Sequence, residues 1–318
     1  MSGPDVVTFG EAMALLLAEP GRPLEHAENF RRSVAGAEAN TAVALARLGH
    51  RTAWFGRVGD DAFGRAVLRT LRGEGVDTSR ARTDPEAPTG IIVRDCHASR
   101  AIEVLYHRAG SAGSRLGPGD LDLPYLTSAR VLHLTGVTAA LSPSALEACV
   151  AAADAARAAE VTVCLDPNVR LRLRPASEWP GLLAPLIERA DVLLTGADEA
   201  GLLTGEREHR AAATALLGRG PGLVVLKDGA RGASATDGDG HWTVPARPTA
   251  APDPVGAGDA FNAGFLSARL RSLPVPKALA EAAVVAAHAV QVPGDLEGLP
   301  TARQRDAALT GTPDTVIR

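Results

Sequence analysis

The segment that decides the fold is Asp253-Pro254-Val255-Gly256-Ala257-Gly258-Asp259-Ala260-Phe261. Gly256 and Gly258 flank a small alanine, and the apolar residues at 261, 265, 266 and 270 share one face of a helix predicted over 259–271. A turn with such small side chains at a helix start leaves backbone N–H groups free to point at an anion, and the helix dipole favours negative charge there. The segment therefore predicts an anion site with the Asp259 carboxylate beside it.

On both sides of this turn, short β-branched or leucine-rich runs alternate with longer alanine-rich helical patterns. The predicted strands cover 6–10, 52–56, 131–134, 161–165, 192–195 and 223–227. The predicted helices cover 39–48, 63–73, 142–158, 211–217, 259–271 and 277–290. Such alternation is typical of βαβ units, so the sequence predicts an α/β fold with a mostly parallel, doubly wound central sheet.

Two segments, at about 11–31 and 89–108, interrupt the alternation without a helical pattern between their apolar runs. The runs at 91–93 and 102–106 have strand composition, and the residues at 96–100 have the composition of a turn. We interpret these segments as a small β-sheet that covers a larger α/β body. Residues 1–318 are expected to form one domain that includes this lid.

Composition and charge exclude several classes of protein. The net charge of −4 gives no broad attraction to nucleic acid or to an anionic membrane. The start of the chain lacks the features of a signal peptide, and the apolar stretch at 278–292 is interrupted by Glu281 and His288. The three cysteines are far apart and lack metal-ligand spacing. We expect a reduced, cytoplasmic protein with no nucleic-acid partner, membrane partner or structural metal.

Polar side chains follow several predicted strands at the point where each strand ends. They are Asn168 and Arg170 after 161–165, Glu199 after 192–195, and Lys227 at the end of 223–227. Ligands of open α/β sheets bind at this edge, so these residues predict one shared site. Asp259 could accept a proton there from a hydroxyl that attacks a phosphoryl group, although aspartate is also common in the first helical turn as a simple cap.

Four blocks of the sequence resemble signatures of the PfkB-type, ribokinase-like carbohydrate kinases. In the order in which that family has them, they lie at 35–40, 57–64, 224–233 and 253–261. The resemblance implies a three-layer αβα sandwich with a mostly parallel central sheet and a small β-sheet lid. It also implies an ATP-dependent enzyme that phosphorylates a sugar hydroxyl. No Gly-Lys-Ser/Thr occurs in the chain, which excludes ATP binding by a Walker loop.

The same resemblance implies roles for individual residues and cofactors. Asp259 would be the base, and Gly256, Ala257, Gly258 and the Asp259 amide would form the anion hole. ATP and Mg²⁺ would be the cofactors, with a monovalent cation as a further candidate. The residues implied to lie near the nucleotide are Asn168, Glu199, Lys227, Gly229, Gly232 and Gly258. Glu199 would act on Mg²⁺ through water.

Within this family the chain is most similar to 2-keto-3-deoxygluconate kinases, through the segments at 106–112, 166–170 and 294–300. The substrate-binding residues implied are Gly36, Asn40, Tyr106, Arg108, Arg170 and Asp295. Guanidinium groups bind carboxylates through charge-assisted forks, so Arg108 and Arg170 favour an acidic sugar. The chain departs from the pattern at Ile92, where a lid tyrosine is common, and at Gly196, where an asparagine is usual.

The sequence leaves two other functions open and excludes a third. A kinase of the same family could act on a neutral sugar such as fructose or ribose, or on a nucleoside. A non-catalytic sugar-binding regulatory protein is favoured by Gly196 and opposed by Asp259 with its glycine turn. A nicotinamide-dependent oxidoreductase is excluded, because Gly10-Glu11 follows the first strand in place of the Gly-x-Gly-x-x-Gly turn. Exposed lid edges would favour a homodimer through the lid.

Overall fold

The computed structural model describes residues 3–97 and 101–311. In chain order the strands are β1 (Val6–Phe9), β2 (Met13–Ala18), β3 (Phe30–Ala35), β4 (Thr52–Phe55), β5 (Arg57–Gly59), β6 (Arg82–Asp84), β7 (Ile91–Arg94), β8 (Val104–His107), β9 (Val131–Thr135), β10 (Thr162–Asp166), β11 (Val192–Gly196), β12 (Leu223–Lys227), β13 (Ala233–Asp237) and β14 (His241–Val244). The helices are α1 (Ala37–Arg47), α2 (Ala62–Gly73), α3 (Leu123–Leu126), α4 (Gly136–Leu141), α5 (Pro143–Ala158), α6 (Trp179–Ile187), α7 (Ala197–Thr204), α8 (His209–Leu217), α9 (Ala257–Leu270), α10 (Val275–Ala289) and α11 (Ala302–Thr310).

The central sheet has eight strands in the order β14-β13-β12-β11-β10-β9-β1-β4. All neighbours from β4 to β12 pair in parallel, whereas β13 and β14 are antiparallel. The six predicted strands form this parallel part, and the six predicted helices are present with ends within about two residues of those expected. The prediction of a mostly parallel α/β sheet is confirmed.

Helices cover both faces of the central sheet because its buried strands alternate apolar side chains between the two faces. Val6 of β1 packs into a core with α1, α9 and α10, whereas the adjacent Val7 packs into a core with α5, α6 and α8. Phe265 and Leu279 are fully buried on the first side, and Trp179 and Leu216 on the second. The predicted three-layer αβα arrangement is therefore confirmed.

The lid is a separate four-stranded sheet in the order β3-β2-β7-β8. Strands β2, β7 and β8 come from the two segments that interrupt the alternation, whereas β3 begins at the end of the first segment and extends to Ala35. The prediction of a small separate sheet is confirmed. Strand β2 pairs in parallel with β7 and antiparallel with β3, and β8 closes the other edge. Part of the turn predicted over 96–100 falls on residues 98–100, which lie outside the described residues. No helix in the described part of the chain is long and apolar enough to cross a membrane.

Some elements were not predicted, and α6 shows why. Its sequence contains Pro180, Gly181 and Pro185, which are signals of loops when only local sequence is considered. The helix buries Trp179 and Leu183 against the sheet, and this tertiary packing outweighs the poor local propensity. The antiparallel strands β13 and β14 were missed in the same way, since the glycine-rich turn before them reads as a loop.

Candidate active site

Two adjoining cavities lie at the carboxyl ends of β10, β11 and β12. The central pocket, of about 430 Å³, is bounded by these strand ends and by the lid. The predicted site residues that line it are Gly36, Asn40, Tyr106, Arg108, Asn168, Arg170, Glu199, Lys227, Gly256, Gly258, Asp259 and Asp295. The side groove, of about 590 Å³, is lined by the remaining ones, Gly229, Gly232 and Ala257, and also by Lys227 and Gly258. Every site residue predicted from the sequence thus borders one of two cavities, which Lys227 and Gly258 share.

The glycine turn before α9 has the geometry that an anion site needs. Gly256 has a left-handed φ of 79°, and a Cβ there would lie 3.2 Å from the Asp295 carbonyl oxygen. Within the described residues, the amides of Gly258 and Asp259 have no hydrogen-bond acceptor, whereas the Ala257 amide donates to the Pro254 carbonyl at 3.3 Å. Two free N–H groups at the start of α9 can therefore bind an anion together with the helix dipole.

The Asp259 side chain lies in the first turn of α9 and is buried between two amides. Asn40 Nδ2 donates to Asp259 Oδ2 at 2.8 Å, and Asn168 Nδ2 donates to Oδ1 at 3.4 Å. Burial raises the pKa of Asp259 to about 7, against the lowering effect of the Asn40 hydrogen bond. The negative charge of Asp166 raises the pKa further. A carboxyl group with this pKa can exchange a proton near neutral pH.

Lys227 lies at the boundary of the two cavities, and its charge is compensated by a buried carboxylate. Its ammonium group donates to Asp166 Oδ2 at 2.8 Å and to Asn262 Oδ1 at 3.1 Å. The Asn262 amide also donates to Asp166 Oδ2 at 2.6 Å. A Cβ added at Gly258 would lie 3.8 Å from Lys227 Nζ, which places the ammonium group next to the glycine turn. Sequence reasoning assigned no role to Asp166 or Asn262, although both lie within matched segments or next to them.

Glu199 is engaged by the backbone. One carboxylate oxygen accepts from the Gly196 amide at 2.7 Å, as part of the capping box of α7, and the other accepts from the Val169 amide at 2.7 Å. No group of three or more His, Cys, Asp or Glu side chains within residues 3–97 and 101–311 could hold a metal ion. Because both Glu199 oxygens already accept from backbone amides, Glu199 fits a contact to Mg²⁺ through water, and this ion usually keeps several waters and is held by phosphate oxygens.

Tyr106 and Arg108 extend from the lid into the central pocket. The Arg108 guanidinium is paired with the buried Glu11 carboxylate and lies 5.6 Å from the centre of the Tyr106 ring. Glu11 also accepts a hydrogen bond of 2.7 Å from the Ser111 hydroxyl. Arg170, which follows β10, is exposed and also lines the central pocket. Two guanidinium groups thus border the same cavity as Asp259.

At the edge of the central pocket, Arg94 forms a buried network that sequence reasoning missed. Its Nη2 atom lies 2.8 Å from Asp253 Oδ2 and 2.9 Å from Asp295 Oδ1, and the residue is only 2% exposed. The one available signal was a charged residue at the end of an otherwise apolar strand, Ile91–Arg94. Asp253 and Asp295 both lie in segments that resemble the family, but no local pattern predicts Arg94 as their common partner.

The fold and this site define a phosphoryl-transfer enzyme of the ribokinase-like class. Residues 4–302 match the sequence profile of the pfkB family carbohydrate kinases, and the chain belongs to that family. The resemblance noted in the sequence and the prediction of a carbohydrate kinase are thereby confirmed.

Relatives from several organisms match over nearly the whole chain. The chain is 36% identical to a 2-dehydro-3-deoxygluconokinase of Bacillus subtilis, over 98% of this chain and 97% of that protein. It is 37% identical to a 2-dehydro-3-deoxygluconokinase of Thermoproteus tenax, over 96% and 94% of the two chains. The crystal structure of a PfkB protein from Polaromonas sp. JS666 has a TM-score of 0.88 at 41% identity, over 96% of this chain and 100% of that one.

Proposed function

We propose that this protein transfers the γ-phosphoryl group of ATP to a hydroxyl of 2-keto-3-deoxygluconate (2-dehydro-3-deoxygluconate) or a related keto-deoxy sugar acid. The observation that carries the proposal is the buried Asp259 carboxylate, held by Asn40 and Asn168 beside the free amides of the glycine turn. A base and an oxyanion-binding turn in contact are the two parts that phosphoryl transfer to a hydroxyl requires of the protein. The names of the relatives support the acceptor class.

In the proposed reaction, Asp259 accepts the proton of the acceptor hydroxyl as its oxygen attacks the γ-phosphorus. The amides of Gly258 and Asp259 stabilise the charge on the phosphoryl oxygens, and Lys227 adds a positive charge next to the turn. When bound, Mg²⁺ would neutralise charge on the ATP phosphates. The side groove is the proposed nucleotide site, because its mainly small and apolar lining ends at Lys227 and the turn.

The acidic acceptor is proposed from the charges in the central pocket. Arg108 and Arg170 both line the pocket, and a guanidinium group can bind a carboxylate through a charge-assisted fork. Asp295 and Asn40 lie at the base of the same pocket, where they can bind sugar hydroxyls. A neutral acceptor would offer neither guanidinium group an anionic partner beyond the Glu11 carboxylate that already pairs with Arg108. We therefore expect the acid to be preferred over fructose, ribose and adenosine.

Activation by a monovalent cation is a finer prediction. The buried carboxylates behind the glycine turn, Asp253 and Asp295, are both paired with Arg94. The single charge of Arg94 offsets only one of these two carboxylates, so we expect a monovalent cation to raise turnover, with higher values in potassium than in choline salts. Equal turnover in the two salts would contradict activation by a monovalent cation.

Other parts of the proposal concern the whole chain. We propose a single domain over 1–318 and a homodimer through the lid, whose edge strands expose Phe30 (40%) and Leu105 (44%). Light scattering would test the dimer.

A reduced, cytoplasmic location fits three buried, unpaired cysteines, and the net charge of −4 argues against nucleic-acid or membrane partners.

The experiment that tests the proposal is an ADP-release assay with Mg²⁺-ATP and a panel of acceptors. The panel contains 2-keto-3-deoxygluconate, fructose, ribose and adenosine, and we expect the highest kcat/KM for the sugar acid. A higher kcat/KM for a neutral acceptor would agree with the family but contradict the proposed acidic substrate. If a folded protein released no ADP with any acceptor of the panel, the result would favour a non-catalytic, sugar-binding role.

A further inference from the structure

We propose that Arg94 is a positioning residue that fixes the lid sheet to the glycine turn and sets the geometry of the reaction through Asp253 and Asp295. The inference rests on the proposed phosphoryl transfer at Asp259. Arg94 borders the central pocket but not the side groove, and its Nη2 atom contacts its two carboxylate partners, through which we propose that it acts.

Three charged side chains meet in a space that is largely buried. Arg94 is 2% exposed, and the Asp253 and Asp295 side chains are 0% and 8% exposed. Burial raises the pKa of Asp295, and the Arg94 charge opposes this increase. Without the guanidinium, two buried carboxylates would share one small space with no cation, and one of them would take up a proton or move apart.

The two carboxylates lead directly to the reacting groups. Asp253 accepts hydrogen bonds from the Val255 amide at 3.2 Å and the Gly294 amide at 2.9 Å, so it holds the start of the glycine turn. Asp295 accepts from Asn40 Nδ2 at 3.3 Å, and the same nitrogen donates to Asp259 at 2.8 Å. One residue, Asp253, therefore lies between Arg94 and the turn, and two residues, Asp295 and Asn40, lie between Arg94 and the base.

In the other direction, Arg94 belongs to the sheet that carries the substrate-contacting side chains of the lid. It is the last residue of β7, opposite Val104 of β8, and Ile92 in the same strand is opposite Tyr106. Arg108 follows directly after β8. A shift of β7 relative to the body would move these side chains relative to Asp259.

The test compares Arg94→Ala and Arg94→Lys with Arg305→Ala. Arg305 is the matched control, since it is a buried arginine paired with Glu281 and lines neither cavity. We expect Arg94→Ala to lose roughly 10²-fold in kcat/KM, the usual cost of misplacing reacting groups by about 1 Å. Arg94→Lys keeps one charge but not the shared contact, and we expect an intermediate loss.

Chemical rescue separates positioning from simple stabilisation. Guanidinium at millimolar concentration, far below denaturing levels, should raise kcat/KM of Arg94→Ala in a saturable manner and leave Arg305→Ala unchanged. Potassium chloride at equal ionic strength is the salt control. Absence of rescue, with an activity loss no larger than that of Arg305→Ala, would overturn the inference, as would wild-type kcat/KM in Arg94→Ala.

A second measurement does not depend on the acceptor. Hydrogen exchange of the amides in the glycine turn should be faster in Arg94→Ala than in the wild type, and unchanged in Arg305→Ala. If the wild type phosphorylates no sugar acid, the proposed substrate fails, while the exchange measurement still tests the linkage. Unchanged exchange at the turn in Arg94→Ala would contradict the inference even if the substrate is right.

Discussion

Asn40 Nδ2 lies 2.8 Å from Asp259 Oδ2, and this hydrogen bond joins two residues that are 219 positions apart in the chain. It connects α1, which follows the lid strand β3, with α9, which follows the glycine turn. The bond fixes the orientation of the carboxylate and lowers its pKa, which burial raises. The result is a buried base whose proton affinity is matched to neutral pH.

The first prediction concerns the pH dependence of activity. The raised pKa of Asp259, about 7, means that the carboxyl is protonated and inactive as a base below this pH. We therefore expect kcat/KM to increase with pH through about 7 with the slope of a single proton, and then to level off. An acid limb near the ordinary aspartate pKa of about 4 would show that another group controls turnover.

The second prediction concerns Asn40→Ala. Loss of the amide donor removes an interaction that lowers the pKa of Asp259, so the acid limb of kcat/KM should move to higher pH. Asn29→Ala is the matched control, because Asn29 is exposed and its amide donates to Glu19 at the surface. A limb that stays in place in Asn40→Ala would contradict the assigned role of the amide.

The third prediction concerns Gly256→Ala. The left-handed φ of 79° and the 3.2 Å approach of a Cβ to the Asp295 carbonyl oxygen should lower the free energy of unfolding by about 1–2 kcal/mol. Turnover should fall further, because the same turn presents the free amides. Gly73→Ala is the control, since a Cβ there meets nothing within 4 Å, and we expect no loss of stability. Thermal unfolding and kcat of both variants test the difference.

The fourth prediction concerns Arg108→Ala. A hydrogen bond to a charged group contributes about 1.5–3 kcal/mol, so KM for the sugar acid should increase roughly 10- to 100-fold. KM for ATP should change little, because Arg108 lines the central pocket and not the side groove. Arg172→Ala provides a control, since Arg172 is exposed and lies outside the central pocket. Equal increases in both KM values would contradict a carboxylate-binding role.

The sequence predicts those parts of the fold and site that are encoded locally. The period of the apolar residues gave the strands and helices of the parallel sheet, and turn chemistry located the anion site at Gly256 and Gly258. The rule that ligands bind at the carboxyl ends of strands placed Asn168, Glu199 and Lys227 together before any contact was known.

Contacts between distant segments could not be predicted in this way. Arg94 lies 159 positions from Asp253 and 201 from Asp295, and no local pattern marks them as partners. No local pattern predicts the pairing of Glu11 with Arg108 either, because it depends on how the lid sheet packs over β1. Burial of these charges is a tertiary property, as is the burial of Asp259 that raises the pKa of the base.

The most direct measurement is kcat/KM for 2-keto-3-deoxygluconate in the wild type and in Asp259→Asn, above pH 7, with thermal unfolding of both proteins as a check on folding. We predict turnover in the wild type and a loss of roughly 10²–10⁴-fold in the variant at similar stability. Near-normal turnover in a folded Asp259→Asn variant would contradict the account, since Asp259 would then be only a helix cap.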